Sequence, residues 1–218
     1  MAKIVILGAG IAGHTAATHL RRKLSNEHEV LVVSPNRNYQ WVPSNIWVGI
    51  GRMNVKDVSF ALEPIYKKNK IGYKQAKVIS FHPEGDTNEP KGFVKIEYLF
   101  GNHAGVQENI NYDFLINATG PKLAFELTEG LNPGTNKAYS VCTYEHATHA
   151  SKALHELINS LKNSDKKAKI LIGTGHPKAT CQGAAFEYVL NVEKELVRFG
   201  VRDKVEITWI SNEYALGD

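Results

Sequence analysis

No stretch constrains this chain more than Gly8-Ala9-Gly10-Ile11-Ala12-Gly13. It fits G-x-G-x-x-G. A short apolar run rich in β-branched residues, Lys3–Leu7 (KIVIL), precedes it, and a helix-patterned segment over residues 14–24 follows, with Ala16, Ala17 and Leu20 on its inward face. Each glycine has its own steric task. Gly8 permits a tight turn out of a strand, Gly10 lets backbone approach a pyrophosphate, and Gly13 lets helix and strand pack closely. The helix N-terminus then offers unpaired N–H groups and the positive end of a dipole to phosphates. Residues 29–33 (EVLVV) read as a second buried strand, which completes the βαβ opening of a parallel sheet. The fingerprint expects an acid at the end of that strand to hold a ribose hydroxyl. Ser34 stands there instead, able to hydrogen-bond but uncharged.

The architecture repeats further on, without the sequence repeating. Residues 168–172 (AKILI) have the first strand's character, residues 173–180 form a second glycine turn, residues 181–199 read as a helix and Val205–Ile210 as a strand. In this turn, Gly173-Thr174-Gly175-His176-Pro177-Lys178, the third glycine is replaced by Lys178, and Pro177 removes a donor and stiffens the chain. A second pyrophosphate site is therefore disfavoured, although Glu213, after the next strand, keeps a nicotinamide reading open.

Between the two openings, residues 34–54 are expected to be a long irregular segment. Tyr39, Trp41 and Trp47 mark it as functional rather than disordered. Residues 56–69 are expected to be helical. Residues 73–81 and 93–99 read as antiparallel strands joined by the polar turn 83–92. Residues 110–118 read as a strand leading into Thr119-Gly120-Pro121, and its small-residue end, Ala118-Thr119-Gly120, lets the chain turn beside a cofactor. After Gly134 the pattern predicts a short strand over 138–141, then Cys142, a helix from Thr143 to about Leu161, and a polar linker over 163–167.

Both cysteines thus fall after strands and at helix starts, with Thr143 and Thr180 as candidate N-caps. That setting favours thiolate chemistry and lies at the sheet edge where ligands collect, so Cys142 and Cys181 read as redox-active rather than as small buried hydrophobes. His146, one turn from Cys142, either assists proton transfer or is a capping or surface histidine. His176 reads as structural.

Composition removes several function classes. The chain has 218 residues, room for one large domain or two small ones, with 43% hydrophobic and 22% charged residues and a net charge of +4. Two cysteines exclude a disulfide scaffold. The densest basic groups, Arg21-Arg22-Lys23, Lys67-Lys68 and Lys166-Lys167, are short and apart from the aromatics, so no nucleic-acid partner is expected. A weak attraction to anionic membrane surfaces stays open. No run of 18 apolar residues is present, and the start reads as strand and turn rather than as a secretory signal. No metal site is assigned.

Taken together, these residues resemble the sulfide:quinone oxidoreductases, membrane-peripheral flavoproteins of the two-dinucleotide-binding-domain superfamily. The resemblance spans the chain. It rests on Gly8 to Gly13 and Ser34, on residues 39–51 (YQWVPSNIWVGIG), and on Ala118-Thr119-Gly120-Pro121-Lys122. It continues in Cys142-Thr143 with His146, and in Cys181 with Gly183 and Glu187. It implies an α/β fold: a Rossmann-like FAD-binding domain over 1–134, followed by the start of a second Rossmann-like domain over 135–218. FAD would lie on Gly8, Ala9, Gly10, Ile11, Ala12 and Gly13, with Ser34, Pro35, Val42, Pro43, Val78, Ala118, Thr119 and Gly120 around it. In the implied chemistry, sulfide attacks a disulfide or sulfur chain bridging two cysteines, two electrons pass through FAD to a quinone, and sulfur leaves as polysulfide. Cys181 matches one of the redox pair, Cys142 an auxiliary cysteine, and His146 a histidine near the active centre.

Family members are longer than this chain. The other redox cysteine, the quinone pocket and the membrane-binding helices are expected C-terminal of Asp218, so the chain reads as an N-terminal part, inactive alone, of a peripheral membrane protein. A type II NADH:quinone dehydrogenase relative is the competing reading, and a homo-oligomer stays open.

Overall fold

The structure is a computed structural model that describes residues 1–135, 138–179 and 181–214. Its elements in chain order are β1 (Lys3–Leu7), α1 (Ile11–Lys23), β2 (Glu29–Ser34), β3 (Asn38–Gln40), α2 (Asn45–Gly49), α3 (Val55–Val58), β4 (Ser59–Ala61) and α4 (Leu62–Lys68). They continue with β5 (Gly72–His82), β6 (Phe93–Tyr98), β7 (Gln107–Asn111), β8 (Phe114–Asn117), α5 (Tyr144–Lys162), β9 (Ala168–Gly173), α6 (Gln182–Arg198) and β10 (Val205–Ile210). They form two units. One holds Met1–Gln40 and Ser59–Lys122; the other holds Trp41–Val58 and the chain from Leu123 onward. These bounds differ from the contiguous segments 1–134 and 135–218 expected of the two domains.

In the first unit, β1 and β2 carry apolar side chains on both faces and so belong inside a parallel sheet rather than at a surface. The strand order is β7-β6-β5-β2-β1-β8. β1 pairs in parallel with β2 and β8, and β2 in parallel with β5. On one face Ile4, Ile6, Val30 and Val32 pack with Ala17 of α1 and with Leu62 and Tyr66 of α4. On the other, Val5, Leu7, Leu31 and Val33 pack with Ala76, Val94, Ile96 and Ile110. Each fully buried aliphatic side chain here contributes about 1.5–3 kcal/mol. β5 outruns β2 and continues antiparallel to β6 past a register shift between Val78 and Ser80. The expected strand 110–118 is two strands: β7 pairs antiparallel with β6, and β8 returns parallel to β1. Asp113 separates them, its Oδ2 accepting the Lys3 N–H at 2.6 Å.

The expected irregular segment and the helix over 56–69 are both reorganised by one short ladder. β3 pairs with β4, and Tyr39 stacks on Phe60 with ring centroids 4.7 Å apart. Between these strands the chain belongs to the second unit, where it forms a 3-10 turn over Val42–Ser44, then α2 and α3. The helix expected over 56–69 is therefore interrupted by β4.

The second unit is built on β9-α6-β10, with β9 and β10 parallel in the register Ala168↔Val205 to Gly173↔Ile210. Ile172, Val192, Leu196 and Val205 pack with Leu154, Ile158 and Leu161 of α5 and with Ile50. Unlike β1, β9 alternates exposed residues with half-buried or buried ones, because the packed side chains Ala168, Ile170 and Ile172 share one face while Lys169 and Leu171 on the other stay exposed. Residues 138–141 form no strand. The Cys142 N–H donates to Ser140 Oγ at 3.0 Å, and Ala138 N–H to Thr135 O at 2.8 Å. Local turns thus take the groups that a ladder would need.

Candidate functional site

The first glycine turn satisfies the three steric tasks separately. Gly8 has φ +97°, and a side chain there would overlap the Ala118 carbonyl. A side chain on Gly13 would overlap the Gly8 carbonyl, so α1 can lie against the turn only without one. At Gly10 a Cβ would meet nothing within 4 Å: the backbone is bare toward open space. α1 begins at Ile11, directly after Gly10 and three residues earlier than its apolar pattern suggests. It has no side-chain N-cap and no acid in its first turn. Its orphan N–H groups and positive dipole end therefore remain for an anionic ligand. A bare backbone cradle at an uncapped helix start fits the pyrophosphate of a dinucleotide such as FAD.

Three strand ends meet at this edge. Gly8 N–H donates to Val33 O at 2.8 Å, and Ala118 N–H to Leu7 O at 2.8 Å. Ala9 is buried in the turn, whereas Ile11 and Ala12 are exposed at the helix start. Thr119 is held by Asn117, whose Oδ1 accepts from Thr119 N at 3.3 Å and Thr119 Oγ1 at 2.9 Å, and Gly120 follows with φ +72°. Ser34 is 1% exposed, and its Oγ accepts the Asn36 N–H at 3.2 Å, which leaves exposed Pro35 at the turn. Val78 lies in β5 three residues beyond Gln75, the partner of Ser34, and packs against the sheet core. Val42 and Pro43 belong to the second unit.

Below the turn, His14 of α1 packs among Tyr39, Phe60 and Tyr66, with Nδ1 3.2 Å from Tyr66 Oη. Burial holds the imidazole below its ordinary pKa of 6.5. Burial, with Tyr73 and Tyr39 adjacent, pushes the Tyr66 hydroxyl up.

In the second unit both thiols are free and exposed. Thr143 caps α5: its Oγ1 accepts the His146 N–H at 3.2 Å. Cys142 precedes this cap. The His146 ring stands edge-on to Phe125 at 5.5 Å, and its Nδ1 is buried with no hydrogen-bond partner among the described residues. Cys181 is itself the N-cap residue of α6 and makes no side-chain cap bond; Thr180 lies outside the described residues.

The second glycine turn differs from the first. Asn212, after β10, donates to Pro177 O at 2.6 Å and Ala179 O at 3.3 Å. It also accepts from Thr174 Oγ1 at 3.2 Å and from Gln182 Nε2. His176 Nδ1 accepts the Lys178 N–H at 3.1 Å. Glu213 is engaged with Ser211, its N–H donating to Ser211 Oγ at 3.1 Å.

The model of the pyridine nucleotide-disulphide oxidoreductase family matches residues 2–185. The chain belongs to that family. It is 31% identical over 218 residues to the sulfide-quinone reductase of Aquifex aeolicus, covering 100% of this chain and 45% of that protein. It is 27% identical over 177 residues to a type II NADH:quinone oxidoreductase of Staphylococcus haemolyticus, covering 78% of this chain and 39% of that protein. The X-ray structure of the Aquifex aeolicus sulfide:quinone oxidoreductase superimposes with a TM-score of 0.82 at 28% identity, over 100% of this chain and 44% of that one. The chain thus spans about half the length of the curated relatives it matches. The two curated relatives named are quinone oxidoreductases, and FAD is the cofactor of this family. The Rossmann-like α/β architecture read from the two βαβ openings is the observed one.

Several residues of consequence carried no sequence signal. Asn117 acts locally, on Thr119 two residues on, whereas Asn212 and the ion pair of Arg52 Nε with Glu195 Oε1 (2.5 Å) act across long sequence separations. Glu195 is 2% exposed and also takes Arg198 at 3.3 Å. Asn45, within the motif over 39–51, is fully buried with neither amide atom partnered among the described residues. Such an amide requires a water or a ligand atom. Among the described residues no helix is long and apolar enough to cross a membrane.

Proposed function

We propose that this chain contributes the FAD turn and the thiol side of a sulfide:quinone oxidoreductase that works at a membrane surface. The pair of exposed free thiols, each at the start of a helix, carries the reading, in a chain that matches a sulfide-quinone reductase along its whole length. In this reading, residues 1–134 and 135–218 correspond to the two dinucleotide-binding domains. FAD, when bound, supplies two-electron transfer between cysteine-bound sulfur and a quinone.

The chain's own residues then have these roles. Gly8, Ala9, Gly10, Ile11, Ala12 and Gly13 seat the pyrophosphate. Ser34, Pro35, Val42, Pro43, Val78, Ala118, Thr119 and Gly120 line the remainder of the cofactor. Cys181, oxidised in a disulfide or sulfur chain with a second cysteine of the full-length protein, is attacked by sulfide and keeps the sulfur as a persulfide while the second cysteine leaves as thiolate, and Cys142 is auxiliary to it. His146, fixed at its backbone by Thr143, holds a proton near Cys142 at a ring nitrogen without a partner among the described residues. The activity proposed is that of the full-length protein, and the 218-residue chain alone is expected not to turn over.

The test is sulfide-dependent reduction of a soluble quinone by the full-length protein. Cys181→Ser is expected to lower the rate by about a thousandfold or more, as loss of a nucleophile does. Quinone reduction driven by NADH, with sulfide inert, would replace this reading with the NADH dehydrogenase one.

A further inference from the structure

The second glycine turn is covered by the chain itself. A Cβ built on Gly175 would lie 2.7 and 2.8 Å from the two methyl carbons of Leu131. The isobutyl group therefore rests on the bare backbone of the turn's second glycine. At the matching glycine of the first turn, Gly10, there is nothing within 4 Å. In a G-x-G turn this is the face along which a pyrophosphate approaches. The cover is tethered: Thr128 Oγ1 donates to Gly175 O at 3.1 Å, and the Leu131 N–H donates to Thr128 O at 3.2 Å. Leu131 and Thr128 are both half-buried. Asn212 also holds the turn, through Thr174, Pro177 and Ala179.

We propose that Leu131, tethered through Thr128, is a specificity-determining lid that closes the second glycine turn to pyridine dinucleotides. A dinucleotide can seat there only if the leucine leaves, so its apparent affinity falls by the fraction of time the lid is open. Restoring a half-buried leucine side chain to water costs enough to lower that affinity about threefold to tenfold. The assignment rests on the sulfide reading above, since a protein that oxidised NADH would have to seat it at this turn. It concerns what the second turn refuses.

The test is equilibrium binding of ADP-ribose to the full chain in saturating FAD, which keeps the first turn occupied. Leu131→Ala is expected to bind ADP-ribose about threefold to tenfold more tightly than wild type. Adding Gly175→Val should abolish the gain and so locate it at the second turn. Thr128→Ala, which cuts only the tether, should give a smaller gain in the same direction and serves if Leu131→Ala fails to fold. Unchanged ADP-ribose affinity in the folded variants would overturn the lid, as would a gain that persists with Gly175→Val.

Discussion

The two glycine turns follow strands of similar sequence and precede helices of similar length, yet one is open and the other is shut. At the first, α1 starts immediately after Gly10, uncapped, over bare backbone. At the second, α6 starts at Gln182, well beyond Gly175, and the intervening loop is bound up by Asn212, His176 and Thr128. The difference shows that a G-x-G pair specifies a turn. Whether the turn is a site depends on what the rest of the chain places against it.

Substitutions at the paired glycines offer the largest contrast. Gly13→Ala is expected to destabilise by about 3 kcal/mol, since its Cβ meets backbone that cannot move aside. Gly175→Ala should cost less than about 1 kcal/mol, because only the tip of Leu131 must rotate. Urea unfolding of the two variants measures both, and equal losses would break the comparison.

Next in size is the polar clamp. Asn212→Ala removes three hydrogen bonds to the second turn and one to Gln182 of α6, and should cost about 1–2 kcal/mol. Asn117→Ala removes two acceptor contacts at the first edge and should cost less. The reverse order in the same unfolding experiment would mean that the second turn holds its shape without Asn212.

The smallest effect is one of pH and belongs to the open turn. Burial disfavours charged His14 in the fold, while the unfolded imidazole titrates at its ordinary 6.5. The unfolded state therefore binds more protons, and stability is full above 6.5 and declines as pH falls below it. His14→Gln should flatten that decline when unfolding midpoints are compared between about pH 7 and about pH 5. An unchanged slope would show that other groups govern it.

The parts of this fold that could be read in advance are those with a local signature. β1, α1 and β2 announce themselves through apolar runs and glycine spacing, as do β9, α6 and β10, and Thr143 caps α5 as its position suggests. The ladder of Asn38–Gln40 with Ser59–Ala61, and the assignment of Trp41–Val58 to the second unit, have no such signature. They arise from pairings such as Tyr39 on Phe60 and Arg52 with Glu195, made between residues far apart in sequence. For the same reason Pro177 and Lys178 gave warning that the second turn is a poor nucleotide site, but nothing in the spacing pointed to Leu131 or Asn212 as what fills it.

The open-versus-shut account is tested most directly by titrating FAD into the chain and following flavin fluorescence, for wild type, Gly10→Val and Gly175→Val. The account predicts that wild type and Gly175→Val bind alike, and that Gly10→Val binds at least about tenfold more weakly with an unchanged unfolding midpoint, because its side chain enters the cradle at a position where a Cβ meets nothing within 4 Å. Undiminished FAD binding by Gly10→Val, or its loss in Gly175→Val, would contradict it.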